Sequence, residues 1–162
     1  VSLELARCPV RAETVSERGA GDGWPLERLA ALAEGSPEAE VCGLLIGLAG
    51  GVTPWPMRNV AAAPATAFAL DPPELLAALR RLDREGGELL AVYHSHLAGG
   101  ADLSTRDLEG ALAGGSPVLP GVAQLVVALE RGRAERIKVH RWSGARFVAS
   151  EPWSRSVNTP KG

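Results

Sequence analysis

Residues 88–96 limit the choice of fold more than any other stretch: Glu88-Leu89-Leu90-Ala91-Val92-Tyr93-His94-Ser95-His96. Five apolar residues run into two histidines placed one residue apart. In an extended strand alternate side chains share a face, so the two imidazoles leave the backbone side by side and can grip one ion. A Gly-rich loop follows, then Ser104-Thr105-Arg106-Asp107, which has the form of a helix start. Asp107 there offers a carboxylate that completes a set of two histidines and one aspartate. Such a set leaves one tetrahedral position of a zinc ion open for water, the requirement of a hydrolytic site.

Each part also has an ordinary explanation. A lone His-x-His is common on strand rims, and Ser-x-x-Asp is a helix capping box in its own right. The combination is more specific. With three histidines, five aspartates and ten serines in 162 residues, these offsets are improbable by chance, which favours a metal site.

The rest of the chain reads as one domain. Its 162 residues suffice for a single core, and 46% hydrophobic with 22% charged residues is an ordinary composition for a globular protein. A net charge of −2 gives no reason to expect nucleic acid or an anionic membrane as partner. The apolar run Val41–Val52 is interrupted by four glycines and falls short of a membrane span. No signal pattern opens the chain, and Cys8 and Cys42 are too far apart for a C-x-x-C site, so the cytoplasm is the expected compartment.

Residues 3–10 suggest a short edge strand, and 16–23 a loop. Pro25 opens a helix that Gly35 ends, and Val41–Leu48 is a short apolar run suited to a buried strand. Gly50-Gly51 turns the chain into a second strand containing Pro54 and Pro56. Asp71-Pro72-Pro73-Glu74 predicts a capped helix start, with Leu75, Leu76, Leu79 and Leu82 facing the core. After a helix over 104–113 come strands at 122–129 and 137–142 around an Arg131-Gly132-Arg133 turn, and a short third at 146–149. This order predicts an α/β fold of the mixed α+β kind: one domain, with a mixed, curved β-sheet flanked by helices. A water-activating site also needs a base. Glu40, where a polar segment meets the Val41–Leu48 run, is the candidate, with Glu38 as its alternative.

Glu40 followed by His94-x-His96-x(7)-Ser104-x-x-Asp107 resembles the JAMM motif of the MPN-plus metallopeptidases. Glu40-Val41-Cys42-Gly43-Leu44-Leu45-Ile46-Gly47 resembles that family's Glu-x-x-Gly-Leu-Leu-x-Gly strand. Asn59-Val60 and Phe68-x-Leu70-Asp71-Pro72 are similar to its small bacterial branch, the sulfur-carrier-protein hydrolases. The likeness covers about residues 25–150 and implies an MPN domain with cytidine-deaminase-like architecture, preceded by the 1–24 strand and loop and followed by an irregular tail over 151–162. It implies one Zn2+ per chain on His94, His96 and Asp107, Glu40 as general acid/base, and Ser104 as a catalytic hydrogen-bond donor. It further implies a peptidase or isopeptidase acting at the Gly-Gly tail of a ubiquitin-like or sulfur-carrier protein. Oligomeric state stays open, a homodimer included. Leu97 and Leu103 stand where the family usually has proline, so a looser loop is expected.

Three other readings compete. A non-catalytic MPN scaffold would lack the ligand set, and all four groups are present. A cupin needs a glutamate soon after the histidines and an all-β pattern. A nucleobase deaminase needs His-x-Glu and Cys-x-x-Cys. His140, in a predicted strand, reads as a surface or satisfied histidine, and Cys42 as a small buried residue without a redox role.

Overall fold

A computed structural model describes residues 23–155. The expected strand over 3–10 lies outside them, as do residues 156–162. In chain order the elements are α1 (Leu26–Glu34), β1 (Cys42–Leu48), β2 (Gly51–Met57), α2 (Pro72–Glu85), β3 (Glu88–His96) and α3 (Thr105–Ala111). They continue with β4 (Leu112–Ala113), β5 (Ser116–Pro117), β6 (Ala123–Glu130), β7 (Arg133–Trp142) and β8 (Phe147–Ser154). Six strands form one mixed sheet in the order β2-β1-β3-β6-β7-β8, and β4 and β5 form a separate small hairpin. Only the β3–β6 pair is parallel; the other ladders are antiparallel. A parallel neighbour requires a crossover. Here α3 and the β4–β5 hairpin supply it, so the helix bearing Asp107 is carried back across the end of β3.

The two faces of the sheet bury different helices. Leu29, Ala30 and Ala33 of α1 pack with Leu45, Tyr93, Leu125, Ile137 and Val139 on one face. Ala78 and Leu82 of α2 pack with Leu44, Ile46, Val92 and Met57 on the other. β3 lies between β1 and β6, which explains its apolar run: Ala91 to Ser95 are all buried. The prolines of β2 are tolerated because β2 is an edge strand, and its register with β1 runs unshifted through both. Arg131 (φ 51°) and Gly132 (φ 78°) both take left-handed conformations, as a two-residue turn between β6 and β7 requires.

Several expectations need correction. Asp71 precedes α2 but makes no side-chain cap. Its carboxylate instead pairs with Arg58, and Glu74 Oε2 accepts from the Arg58 N–H at 2.9 Å, so the expected box is exchanged for a tie to the end of β2. Leu76 points to solvent, 49% exposed, and Ala78 takes the buried place beside Leu82. The 104–113 helix ends at Ala111. The tail does not turn irregular at residue 151: Glu151–Ser154 continue β8, and Trp153 is buried in the core with its Nε1 donating to Glu27 Oε1 at 2.7 Å. Among the described residues no helix is long and apolar enough to cross a membrane.

Gly43 shows why the Glu-x-x-Gly pattern ends in glycine. A Cβ there would lie 2.3 Å from the Trp55 carbonyl oxygen and 2.6 Å from the Tyr93 hydroxyl. Gly43→Ala is therefore expected to cost about 1–3 kcal/mol through overpacking. Urea unfolding at equilibrium checks this, and an unchanged midpoint would contradict the close approach.

Candidate metal centre

The last residues of β3 place the two histidines. His94 and His96 share a face, and their Nε2 atoms stand 3.1 Å apart. From α3, Asp107 Oδ2 reaches to 3.2 Å from His94 Nε2 and 3.0 Å from His96 Nε2. Three ligand atoms from two elements thus converge on one point, the only such grouping of three or more metal-ligating side chains among the described residues. Zinc bonds of roughly 2.0–2.1 Å at tetrahedral angles put neighbouring ligand atoms about 3.3 Å apart, close to what is seen.

Local chemistry prepares these atoms for a cation. His96 Nδ1 lies 2.9 Å from the Gly100 carbonyl oxygen. A carbonyl only accepts, so Nδ1 carries a proton and Nε2 is the atom turned to the convergence point, where a metal would take its lone pair. His94 is fully buried, and its ring stacks on Phe68 with centroids 4.2 Å apart. The Asp107 side chain is held by a complete capping box: Ser104 Oγ accepts the Asp107 N–H at 3.1 Å, and Ser104 N–H donates to Asp107 Oδ2 at 2.8 Å. The same oxygen therefore serves the cap and the ligand set. The Ser104 hydroxyl, engaged as acceptor, keeps its own proton free to donate.

Burial and mutual contact set the titration of the cluster. Burial depresses the His94 imidazole below its usual value. Burial opposes ionisation of Asp107 as well, but its hydrogen bonds to His94 and His96 outweigh this and hold it well below the usual carboxylate range. At His96, burial is outweighed by Asp107 and the Gly100 carbonyl, which raise it. An ionised carboxylate oxygen beside two Nε2 atoms is a donor set suited to a divalent ion.

Glu40 adjoins this centre. It is 5% exposed, and its Oε2 is buried without a hydrogen-bond partner among the described residues, as is His94 Nδ1. Burial pushes the carboxyl up to about 7, with His96, Asp107 and Arg106 acting on it in turn. Glu38, the alternative, is exposed. The next residue, Val41, fixes Glu40 relative to the histidines: its N–H donates to Ser95 Oγ at 2.8 Å, and Ser95 N–H donates to its carbonyl at 3.0 Å. Ser95, between the two histidines, had no motif to mark it.

The neighbouring candidates take ordinary roles. Cys42 is buried opposite His94 in the ladder, and burial pushes its thiol up to about 12, so it stays protonated. His140 is buried, and its Nε2 bonds the Ala101 carbonyl at 2.9 Å. It is a satisfied histidine that braces the loop before Ser104. That loop is further held by Lys138 Nζ on Asp102 Oδ1 at 2.8 Å, and by Leu103 packed with Ala101, Val126 and Ala128. The two missing prolines therefore do not leave it untethered.

Residues 26–143 match the family model described as prokaryotic homologs of the JAB domain. Over 118 residues, 71% of this chain and 78% of the relative, the sequence is 34% identical to a protein of Haloferax volcanii named desampylase. Over 54 residues it is 52% identical to a Thermus thermophilus protein named probable TtuB-protein conjugate cleaving protease, covering 33% of this chain and 36% of that one. The solution structure of a protein from Desulfitobacterium hafniense aligns with a TM-score of 0.61 and 26% identity, over 78% of this chain and 85% of that one.

The Glu40 environment carries a pH signature in metal-free protein. Its carboxyl ionises near 4.5 when unfolded and near 7 when folded, so between these values the folded state holds the extra proton. Stability then falls as pH rises through the window and stays reduced above it. Glu40→Gln removes that dependence. In EDTA, the Tm of Glu40→Gln relative to wild type is expected to be higher at pH 8 than at pH 5; an equal offset at both would contradict the burial.

Proposed function

Because the chain belongs to the family of prokaryotic JAB-domain homologs, we propose that it is a zinc-dependent metallo-isopeptidase of JAMM type. Its substrate is an amide bond at the C-terminal Gly-Gly tail of a ubiquitin-like or sulfur-carrier protein. The observation that carries this reading is the meeting of His94 Nε2, His96 Nε2 and Asp107 Oδ2 beside the buried Glu40 carboxyl, whose Oε2 has no hydrogen-bond partner among the described residues. The names of the Haloferax and Thermus relatives support conjugate cleavage as the reaction class. Those names give no support to a homodimer.

In this scheme His94, His96 and Asp107 hold the metal, one ion per chain. When bound, zinc supplies Lewis acidity and lowers the pKa of water at its open position. Glu40 accepts the proton of the attacking water as its oxygen bonds the scissile carbonyl carbon. It passes that proton to the leaving nitrogen as the C–N bond breaks, so one residue serves as base and then acid. A carboxyl that titrates near neutrality suits both halves of this task. Ser104, its hydroxyl proton free, donates to the oxygen on which negative charge develops. Capping makes this contribution geometric, since the Asp107 N–H fixes where Oγ stands.

The test mixes zinc-loaded protein with carrier proteins extended beyond Gly-Gly and weighs the products. Release of the extension is expected with wild type. Glu40→Gln should retain one zinc per chain and lose about 10²–10⁴-fold in rate, whereas His96→Ala should lose both metal and activity. Intact substrate across several carriers, with zinc bound, would count against a peptidase.

A further inference from the structure

Glu40 lies before β1 begins, so no sheet ladder fixes its own backbone, yet both of its main-chain groups are held. Its N–H donates to the Pro64 carbonyl at 2.7 Å, and its carbonyl accepts from Asn59 Nδ2 at 3.0 Å. The same Nδ2 donates to the Ala67 carbonyl at 3.0 Å, while Asn59 Oδ1 accepts the N–H groups of Ala61 and Ala69, each at 3.1 Å. Two donors and two acceptor positions are all in use. The amide therefore closes the segment from 59 to 70 into an arch, whose ends meet in the Asn59–Leu70 bridge. The arch presents Pro64 to Glu40 on one side. On the other it carries Phe68, stacked on the His94 ring.

We propose that Asn59 is a positioning residue of the reaction, acting through Glu40: its amide sets where the general base stands relative to the metal ligands. The inference rests on the JAMM-type reading above and adds to it a residue outside the motif. A misplacement of about 1 Å in a reacting group costs roughly 10²-fold in rate, and among the described residues no other side chain bonds the Glu40 backbone. Only an amide of this length supplies donors toward Glu40 and Ala67 and an acceptor toward Ala61 and Ala69. Aspartate would keep the acceptor and turn two attractions into repulsions. The backbones of the metal ligands are anchored by β3 and by the Ser104 cap, and Asn59 reaches them only through the Phe68 ring on His94, so loss of Asn59 should spare metal binding.

The experiment compares Asn59→Ala and Asn59→Asp, each in the wild-type and Glu40→Gln backgrounds. Zinc content, kcat and KM on an extended carrier, and amide hydrogen exchange are measured. Expected are one zinc per chain, kcat about 10²-fold lower with KM little changed, and no further loss when Glu40 is already glutamine. In Asn59→Ala, exchange at the Ala61 and Ala69 amides, which lose their acceptor, should quicken at least about tenfold, the equivalent of one lost buried hydrogen bond; in both variants exchange at Glu40, whose N–H bonds the Pro64 carbonyl of the loosened arch, should quicken as well. Equal losses in both backgrounds, zinc lost in step with activity, or unchanged exchange at Glu40 would each overturn the proposal. An inactive wild type would sink the peptidase reading alone; exchange at Glu40 would still decide whether Asn59 holds that residue.

Discussion

Two hydrogen bonds between Val41 and Ser95 set the spacing on which the site depends. The Val41 N–H meets the Ser95 hydroxyl, and the Ser95 N–H meets the Val41 carbonyl. Residue 41 follows the candidate base, and residue 95 separates the two histidines. No fold that left these strands apart could bring the carboxylate to the imidazoles. The β1–β3 ladder then extends the constraint, pairing Cys42 with His94 and Gly43 with Tyr93. The requirement at Gly43 follows: strands fixed this closely leave no room for a side chain between the Trp55 carbonyl and the Tyr93 ring.

The buried Glu40 carboxyl beside the ligand set links folding to metal. Asp107 and the histidines are largely buried, and Glu40 adds a second carboxylate with an unpartnered oxygen. Burying an unpaired charge costs several kcal/mol in real proteins. A divalent cation would offset much of this, because binding to the folded state alone stabilises that state. The capping box keeps Asp107 in place without the ion, since its two hydrogen bonds are internal to residues 104–107. The site is thus partly preformed and electrostatically unfinished.

How far the site could be read in the sequence depended on whether the signal was local. His94, His96 and Asp107 announce themselves because strand alternation and a helix start are short-range patterns. α1 and the Arg131-Gly132 turn were legible for the same reason. Glu40 was preferred to Glu38 from the change of polarity at residue 41, and burial separates the two. Other features depend on distant partners. Asp71 forgoes its cap because Arg58, far along the chain, competes for its carboxylate. The expected irregular tail from residue 151 is strand as far as Ser154 despite Pro152, because the β7–β8 register shift between Ile137 and Val139 gives it an edge-strand bulge. Ser95 left no mark, because a serine has the same composition whether solvated or saturated with buried bonds. Phe68 and Asn59 stood in the family-like text, but their partners did not.

The loop between the second histidine and the serine shows one constraint exchanged for another. Proline stiffens a loop mainly by restricting the unfolded chain, so a loop without it needs contacts made only in the folded state. Leu97 and Leu103 do this by packing, one against the main core and the other against Ala101, Val126 and Ala128. Of the two polar ties from β7, Lys138–Asp102 is the weaker, because Asp102 is 77% exposed and surface pairs contribute about 0–1 kcal/mol. The His140 bond to the Ala101 carbonyl lies in the interior, where an unsatisfied group costs about 1–3 kcal/mol. Burial also holds His140 below its usual pKa, so it stays neutral, with Nε2–H as the donor. The third histidine, lying on the same sheet face as the ligand pair, thus anchors the segment that delivers Asp107. Control of that loop has passed from its own covalent stiffness to the strand beside it.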